Sequence, residues 1–514
     1  MPIEDILKDY EKRKQTALQQ GGPSRVKRQH DKGRLTARER IDKLLDSDSF
    51  LEFGLFCTSD WPGMQDKTPA DGLILGYGLI DGRRVGIIAN DFTVLASTNA
   101  KVNLKKVLQF KTQIKNFKIP LIWLGEAGGG RVPDVQGSDR IFDLGGGGTD
   151  TLWPEYTHYR DYPYVFAAMG DCHGVADFQA CVADFVVQVK GSSIAVSGPR
   201  ALTRAIGDAH TAEEMGGWEL HSKVTGMTDQ VADNEEECFK IIRKYLEYMP
   251  LSNRELPPVQ PVPSGSEERM KKILDKFPDS RRRAYDMHWI IECIVDGGEI
   301  FELKPYFGPM LITCLARING EVVGFIASNP IANLGATNTD ALEKSTSFMC
   351  LCDSFNIPLI FLSDTPGHLT GKEAERKRVG SRVVNNLQAL FQVTVPKISI
   401  VIRKNYGQAM MNMSLLGSGY DFSVSWPTGE LGFFDPDIAV DVINPNLPEK
   451  EREDTRKQMD ADSSPYPAAR GYWLQDVIHP LDTRTYLIHT LKIVRDSAHR
   501  GMSSHLLANW PKKF

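Results

Sequence analysis

The sequence lacks any apolar run long enough to cross a membrane. A spanning helix needs about 18 or more consecutive apolar residues, and the 514-residue chain contains no such run. Its start, MPIEDILKDYEKRKQ, has no apolar signal core, and its acidic residues are atypical of transit peptides. We therefore expect a cytoplasmic protein that does not engage membranes.

Several sequence signals of metal, nucleotide and disulfide chemistry are also missing. The eight cysteines are scattered without a C-x-x-C pair, which favours reduced thiols. Neither H-E-x-x-H nor G-x-x-x-x-G-K-[ST] occurs, so no metal site and no P-loop are expected. The net charge of −5 is too mild to indicate nucleic-acid binding.

What the sequence does contain is an internal duplication. IPLIWL at residue 119 returns as IPLIFL at residue 357, and LIDGRRVGIIAN at residue 79 is matched in the same register by RINGEVVGFIAS at residue 317. Further along, HGVA at residue 173 resembles YGQA at residue 406, and DFVVQV at residue 184 resembles DFSVSW at residue 421. Ordered matches at nearly constant spacing indicate two copies of one structural unit.

Each copy alternates short apolar strands with helical sequence, which predicts an α/β fold. The boundary is expected in the proline-rich stretch LPPVQPVPSGSEER, giving domains 1–260 and 261–514. The first 70 or so residues are charged, show a helical pattern and are expected to lie outside the repeat as an N-terminal helical extension.

Glycine-bearing loops follow several of the predicted strands, in GEAGGGR and CHGVAD of the first copy and in DTPGHLTG and NYGQAM of the second. Where such a loop starts a helix, backbone N–H groups without an internal partner can stabilise a negative oxygen. A single glycine-rich loop more often forms a turn. Their symmetrical pairing favours a site in each half.

These residues carry a family resemblance. The chain resembles the carboxyltransferase (β) subunits of biotin-dependent acyl-CoA carboxylases, of the propionyl-CoA carboxylase type. The most specific match is GRLTARERIDKLLDSDSFLEFG, residues 33–54, and EEMGGWELHSKVTG and VPKISIVIRKNYGQA follow in the family's order. The resemblance covers nearly the whole chain.

The resemblance implies two crotonase-like domains, each a superhelix of ββα units. It implies that the acyl-CoA ester lies on the N-terminal domain and biotin, carried on a partner protein, on the C-terminal domain. Facing domains of two subunits would form a dimer, and three dimers a homohexamer. Because the chain has no A-M-K-M biotin attachment motif and no visible ATP-binding unit, a biotin carboxylase and a biotin carboxyl carrier subunit are the expected partners.

The resemblance also assigns residues to roles. Backbone amides around Gly174 and Val175 would hold the thioester oxygen, and those around Gln408 and Ala409 the biotin oxygen. The expected substrate-binding residues are Ala127, Gly128, Gly129, Gly130, Arg131, Ala176, Pro366, Gly367, His368 and Gly407.

The chain departs from the family pattern at this site. Val175 and Gln408 stand where the family usually has a second glycine, and His368 replaces the usual phenylalanine. Each added side chain alters the space above a loop, so these departures indicate either a changed substrate or neutral drift. His368 could serve as an acid or base, or only as a hydrogen-bonding loop residue. The basic run RVKRQHDKGR, residues 25–34, could contact CoA phosphates or form a solvated helix face.

The leading hypothesis is an enzyme subunit that transfers CO2 from carboxybiotin to the α- or γ-carbon of an acyl-CoA through enolates held in two oxyanion holes. A second hypothesis is decarboxylation of a carboxyacyl-CoA, with or without biotin. A third is a non-catalytic hexameric scaffold, because a fold alone does not establish activity.

Overall fold

The computed structural model describes residues 2–141, 160–207, 209–414, 416–443, 445–497 and 505–512. Its contacts divide the chain into two compact units. The first extends to Ser252 and includes Pro511, and the second extends from Asn253 to Trp510. The division lies earlier than residue 260, so the proline-rich stretch belongs to the second unit. No helix in the described ranges is both long and apolar enough to cross a bilayer.

Helices flank a sheet in each unit, and single turns of 3₁₀ or π helix join some of the elements. The helices of the first unit are α1 Ile3–Leu18, α2 Pro23–Asp31, α3 Ala37–Leu44, α4 Lys101–Phe117, α5 Val132–Val135, α6 Val175–Cys181, α7 Pro199–Ile206, α8 Ala212–Gly216 and α9 Glu235–Tyr248. Those of the second are α10 Ser266–Met270, α11 Met287–Ile294, α12 Thr339–Ser354, α13 Lys372–Arg376, α14 Val379–Gln392, α15 Gly407–Met413, α16 Pro436–Ile443, α17 Glu449–Asp462, α18 Pro465–Arg470 and α19 Thr483–Ser497.

The strands are divided in the same way. The first unit has β1 Leu51–Phe53, β2 Leu73–Ile80, β3 Arg83–Asn90, β4 Leu121–Gly128, β5 Tyr164–His173, β6 Phe185–Val189, β7 Ser193–Ala195 and β8 Gln230–Ala232. The second has β9 Ile300–Leu303, β10 Leu311–Ile318, β11 Glu321–Ser328, β12 Leu359–Thr365, β13 Lys397–Tyr406, β14 Phe422–Ser425, β15 Glu430–Gly432 and β16 Asp476–Val477.

The two sheets have the same topology. The first is ordered β1-β2-β3-β4-β5-β6-β8 with β7 on β5, and the second is ordered β9-β10-β11-β12-β13-β14-β16 with β15 on β13. Three antiparallel strands begin each sheet, and parallel strands joined by helical crossovers continue it. The duplication read from the sequence is therefore a duplication of architecture.

The repeat begins earlier than the sequence predicts. Helix α3 and strand β1 of the first unit have counterparts in α11 and β9 of the second, and β1 and β9 occupy matching edges of the two sheets. The prediction that the first 70 or so residues lie outside the repeat is therefore wrong for α3 and β1, whereas α1 and α2 precede it. The apolar helix MHWIIECI and the charged helix ARERIDKL share little sequence, which hid this match.

Tight turns set the register of both hairpins. Asp81 and Gly82 link β2 to β3 with φ of 49° and 75°, and Asn319 and Gly320 link β10 to β11 with φ of 53° and 80°. Positive φ at both central residues matches the type I′ turn, whose twist suits a two-residue hairpin. The predicted turn at DGRRV is confirmed.

A buried ion-pair cluster fixes the N-terminal helices to the first sheet. The unexposed side chain of Glu126 on β4 lies 2.8 Å from Arg34 and 2.7 Å from Arg40, and it accepts a 2.7 Å hydrogen bond from Gln29. Gly170 on β5 makes room, because a Cβ there would lie 2.4 Å from the Glu126 carboxyl carbon. Arg34 and Arg40, which belong to the family match at residues 33–54, thus hold the strand that leads into the AGGGR loop.

Candidate functional site

Strand β5 turns into helix α6 at Gly174, which has φ 63° and ψ −117°. This region of backbone space is essentially restricted to glycine. The Gly174 N–H donates to the Ala195 carbonyl at 3.2 Å, so this amide already has an acceptor. The amides of Val175 and Ala176 follow in the first helical turn, where no intrahelical acceptor is available.

The second unit repeats this junction between β13 and α15. Gly407 has φ 61°, and Gln408 and Ala409 follow in the first turn of α15. The Gln408 side chain is exposed, whereas Ala409 is buried. A Cβ on Gly407 would lie 3.3 Å from the Phe433 carbonyl oxygen. The structure thus places the predicted oxyanion residues at matching positions of the two units.

Each junction glycine follows a residue whose side chain is held by the neighbouring short strand. His173 Nε2 lies 3.1 Å from the Ser193 hydroxyl on β7, and the Tyr406 hydroxyl donates to Glu430 on β15 at 2.7 Å. Burial lowers the pKa of His173 below its ordinary value. A neutral imidazole therefore borders the first junction at neutral pH. These two side-chain contacts were not predicted from the sequence.

The end of β4 and the loop that follows it contain five of the predicted substrate-binding residues: Ala127, Gly128, Gly129, Gly130 and Arg131. Gly129 has φ 95°, its carbonyl accepts from the Asn99 amide at 2.8 Å, and the Arg131 amide donates to the Asn99 carbonyl at 2.7 Å. A Cβ on Gly174 would lie 3.4 Å from Gly129 Cα. The glycine loop and the first junction are therefore adjacent.

Arg131 itself is turned inward. Its guanidinium binds Asp71 at 2.7 Å, Asp134 at 3.2 Å and the Thr98 carbonyl at 3.0 Å, and the residue is 3% exposed. Its charge is therefore used within the unit. The geometry supports a role in holding the loop, and not in direct contact with a substrate phosphate.

The loop after β12 is the counterpart in the second unit. Gly367, with φ 133°, accepts at its carbonyl from the Thr337 amide at 3.1 Å, and the Leu369 amide donates to the Thr337 carbonyl at 2.8 Å. This repeats the bonds that Asn99 makes in the first unit. Pro366 and His368 flank Gly367, so all three predicted residues lie in one loop.

His368 is held as a neutral side chain. Its Nδ1 lies 2.6 Å from the Thr337 hydroxyl. Burial lowers the pKa of His368 to about 4, although the side chain of Asn412 acts in the opposite direction. An imidazole with this pKa is uncharged at neutral pH, so it is not an imidazolium acid there, and its hydrogen bond with Thr337 is the role that the structure shows.

Asp184 and Asp421 show why one of the repeated sequence matches exists. The Asp184 carboxylate accepts from the Tyr164 amide at 2.9 Å, and the Asp421 carboxylate accepts from the Lys397 amide at 2.8 Å. Each aspartate therefore satisfies the first amide of the strand that ends at a junction glycine.

Within the described residues, no group of three or more His, Cys, Asp or Glu side chains could hold a metal ion.

The profile of the carboxyl transferase domain matches residues 28–505. The chain belongs to the carboxyl transferase family. The propionyl-CoA carboxylase carboxyltransferase subunit of Haloferax mediterranei is 32% identical, over 96% of this chain and 97% of that protein. The methylmalonyl-CoA decarboxylase subunit alpha of Veillonella parvula is also 32% identical, over 92% of each chain.

A solved structure extends this similarity to the fold. Transcarboxylase 12S, determined as a hexamer with methylmalonyl-coenzyme A and methylmalonic acid bound, superposes with a TM-score of 0.90 at 30% identity, over 96% of this chain and 97% of that one. The predicted family, the two crotonase-like domains and the assignment as a carboxyltransferase enzyme are confirmed.

Asn99 and Thr337 were missed as site residues, although they stand in the same gapless register as the repeated strands. Neither residue belongs to a glycine motif, and the paired backbone bonds show that Asn99 corresponds to Thr337.

Proposed function

We propose that this chain is the carboxyltransferase subunit of a biotin-dependent acyl-CoA carboxylase. The observation that carries the proposal is the matched pair of strand–glycine–helix junctions at Gly174 and Gly407. Each presents first-turn amides beside a glycine loop, which is the arrangement needed to stabilise a developing oxyanion. Two such junctions suit a reaction in which two carbonyl compounds exchange a carboxyl group.

In the first unit, the amides of Val175 and Ala176 would hold the thioester oxygen of the acyl-CoA. The Gly174 amide is bonded to Ala195 and instead fixes the junction. Charge that develops on the thioester oxygen when the α-proton leaves would be stabilised by fixed dipoles that need no reorganisation. The side chain of Val175 and the loop 127–131 would shape the acyl pocket, with Arg131 as a positioning residue.

In the second unit, the amides of Gln408 and Ala409 would hold the ureido oxygen of biotin. Gly407 lets the chain turn into the helix that carries these amides, because a Cβ at this position would approach the Phe433 carbonyl oxygen to 3.3 Å. Biotin, carried on a partner protein, would supply the activated carboxyl group. Pro366, Gly367 and His368 would border this site, with His368 donating or accepting hydrogen bonds as a neutral ring.

This function requires partners that the chain does not itself provide. We propose a biotin carboxylase and a biotin carboxyl carrier subunit, a homohexameric assembly, and a cytoplasmic location. The acyl-CoA domain would be the first unit, predicted as 1–260, and the biotin domain the second unit, predicted as 261–514, with the boundary moved to Ser252 and Asn253.

The test is incorporation of labelled bicarbonate into acyl-CoA by the full chain combined with its biotin carboxylase and carrier. We expect ATP-dependent labelling with at least one short-chain acyl-CoA. No labelling across a panel of straight, branched and unsaturated acyl-CoAs would contradict the proposal.

Decarboxylation is the second candidate, because two relatives at 32% and 30% identity are methylmalonyl-CoA decarboxylase alpha subunits. The same oxyanion site would then stabilise the enolate left when CO2 departs from a carboxyacyl-CoA. Release of CO2 without ATP would favour this direction. A strict requirement for ATP in the complete enzyme would exclude it.

A further inference from the structure

Asp177 lies in the first turn of α6, directly after Val175 and Ala176, whose amides form the candidate oxyanion site. Its side chain is buried, because only 5% of the residue is exposed. It makes no hydrogen bond and no ion pair with any residue of the described ranges. Burial raises the pKa of its carboxyl group to about 6. Asp177 is therefore an uncompensated carboxyl group at the candidate site.

The other buried carboxylates of the first unit, within the described ranges, all accept a hydrogen bond from a protein donor. They are Asp71, Asp91, Glu126, Asp134, Asp184, Asp229 and Glu235. A buried charge without a partner costs free energy, so a carboxylate that serves only the fold is paired in this way. Asp177 departs from this pattern at the candidate site, and perturbed, unpaired groups of this kind are typical of functional sites.

The second unit shows that the junction can form without a carboxylate at this position. Residues 174–177 correspond to residues 407–410, so Met410 stands where the first unit has Asp177. Both residues lie in the first turn of the helix that follows the junction glycine. The carboxyl group is therefore confined to the unit proposed to hold the acyl-CoA, the substrate that must lose a proton from carbon.

Helix geometry directs the side chain of Asp177 toward the junction. Side chains of an α-helix lean toward its N-terminus and cover the preceding turn. The Cα of Asp177 lies about 3.8 Å from that of Ala176. The α-carbon of a thioester is bonded to the same carbonyl carbon as the oxygen that the amides would hold, so it comes within reach of the carboxylate. This turn reaches the surface, because Val175 is half-buried and Phe178 is 43% exposed.

We propose that Asp177 is the catalytic base that removes the α-proton of the acyl-CoA, an inference that rests on the proposed function. An O–H bond forms on the carboxylate as the α-C–H bond breaks, and the electron pair passes into the enolate held by the amides of Val175 and Ala176. The enolate carbon then bonds to CO2, and the proton passes through water to biotin, which has given up the CO2. In decarboxylation, the carboxyl group of Asp177 returns its proton to the enolate carbon after CO2 has left.

The experiment measures exchange of the α-proton with deuterium in D2O by the full chain alone, without carrier, biotin or ATP. The probes are straight, branched and unsaturated acyl-CoAs, and mass spectrometry counts the deuterium. The wild-type chain should exchange at least one of them, and Asp177→Asn should exchange it about 100-fold or more slowly. The control Asp171→Asn removes a carboxylate from β5 that lies 4.0 Å from Arg34, and it should leave the rate within about twofold.

Two further measurements separate catalysis from folding. Asp177→Asn removes a buried charge without a partner, so its urea midpoint should equal or exceed that of the wild type. Asp177→Ala leaves space for a small carboxylate, and added formate should restore exchange by about tenfold or more. A purely structural role would not respond to formate.

The pH dependence of exchange distinguishes Asp177 from His173, the titratable residue just before the junction. A carboxylate base is active when ionised, so exchange by the wild type should rise with pH through about 6 and then level off. Asp177→Asn retains His173 and should lose this rise.

The assignment of Asp177 would be overturned by no exchange in the wild type, by equal exchange in Asp177→Asn, by no response of Asp177→Ala to formate, or by persistence of the pH-dependent rise in Asp177→Asn. If the complete enzyme incorporates bicarbonate although the chain alone exchanges no proton, the proposed function stands and the assignment fails. If exchange depends on Asp177 as expected but the complete enzyme neither carboxylates nor decarboxylates, the proposed function fails and the assignment stands.

Discussion

At the scale of single residues, the proposed catalysis depends most on the junction glycines. Gly174→Ala would force a side chain into a backbone region that alanine rarely adopts, at φ 63° and ψ −117°. We expect a loss of about 1–3 kcal/mol in unfolding free energy. We also expect kcat to fall about 100-fold, because the amides of Val175 and Ala176 would move from the proposed position of the thioester oxygen. Urea unfolding and steady-state kinetics measure the two effects.

A matched control separates strain from catalysis. Gly207 ends α7 with φ 74°, and a Cβ there would meet no atom of the described residues within 4 Å. Gly207→Ala should lower the unfolding free energy by about 1 kcal/mol without changing kcat. If it reduced kcat as strongly as Gly174→Ala, the loss at Gly174 would not report on an oxyanion site.

The buried His368 should make the unfolding free energy of the chain depend on pH. Its pKa in the folded chain is about 4 because of burial, whereas an unfolded histidine titrates near about 6.5. As the pH falls from 6.5 to 4, the unfolded chain therefore takes up this proton first and the folded state loses stability, by at most about 3 kcal/mol. In His368→Asn, which retains an acceptor for Thr337, this part of the acid sensitivity should disappear in urea titrations.

The catalytic readout for His368 should show no comparable change. A neutral ring at pH 7 supplies no acid, so the shape of the kcat/KM profile between pH 6 and 8 should be the same in His368→Asn and the wild type. Loss of one limb of that profile would instead assign His368 an acid–base role.

At the scale of elements, the duplication places a buried lysine in each long crossover helix. Lys106 of α4 donates to the carbonyls of Gly54 at 3.0 Å and Leu73 at 2.6 Å. Lys344 of α12 is unexposed, makes no hydrogen bond with any described residue, and lies 3.9 Å from Glu302. Burial lowers the pKa of both lysines to about 8.

The two lysines should therefore respond differently to replacement by methionine. Lys106→Met removes the buried donor to the Leu73 carbonyl and should lower the unfolding free energy by about 2–4 kcal/mol at pH 7. Lys344→Met removes a poorly compensated buried charge and should be neutral or stabilising by about 1 kcal/mol. Urea midpoints of the two variants provide the comparison. A large loss in both would contradict the expectation that the charge of Lys344 is poorly compensated.

The ion-pair cluster of β4 tests how the N-terminal helices are held. Glu126→Gln keeps the shape of the side chain but leaves the buried Arg40 with one acidic partner, Glu235 at 2.6 Å. We expect a loss of about 3–5 kcal/mol in unfolding free energy. Asp9→Asn, which breaks the exposed pair between Asp9 and Arg13, should change it by less than about 1 kcal/mol. Similar effects from the two substitutions would contradict a structural role for the buried cluster.

At the scale of the whole molecule, the sequence predicts the repeat well wherever both copies keep the same local pattern. Strand, turn and glycine positions recur because a hairpin or a strand–helix junction demands the same backbone in both copies, as at Gly82 and Gly320. Helices α3 and α11 could not be matched, because their sequences share little and only their place before the matching edge strands shows the correspondence. The inward orientation of Arg131 and the low pKa of His368 depend on distant partners, which no local pattern reveals.

The last prediction concerns assembly. The structure leaves apolar side chains exposed near the second junction, including Phe433 at 78%, Val442 at 61% and Ile443 at 68%. A contiguous apolar surface of this kind is typical of a protein interface, and the similar transcarboxylase 12S is a hexamer. We expect light scattering of the full chain to give six times the chain mass of 57.4 kDa, at low salt and equally at 1 M salt. Hydrophobic association is not screened by ions, whereas exposed charge pairs are. A monomer at micromolar concentration, or dissociation in salt alone, would contradict an assembly built on this surface.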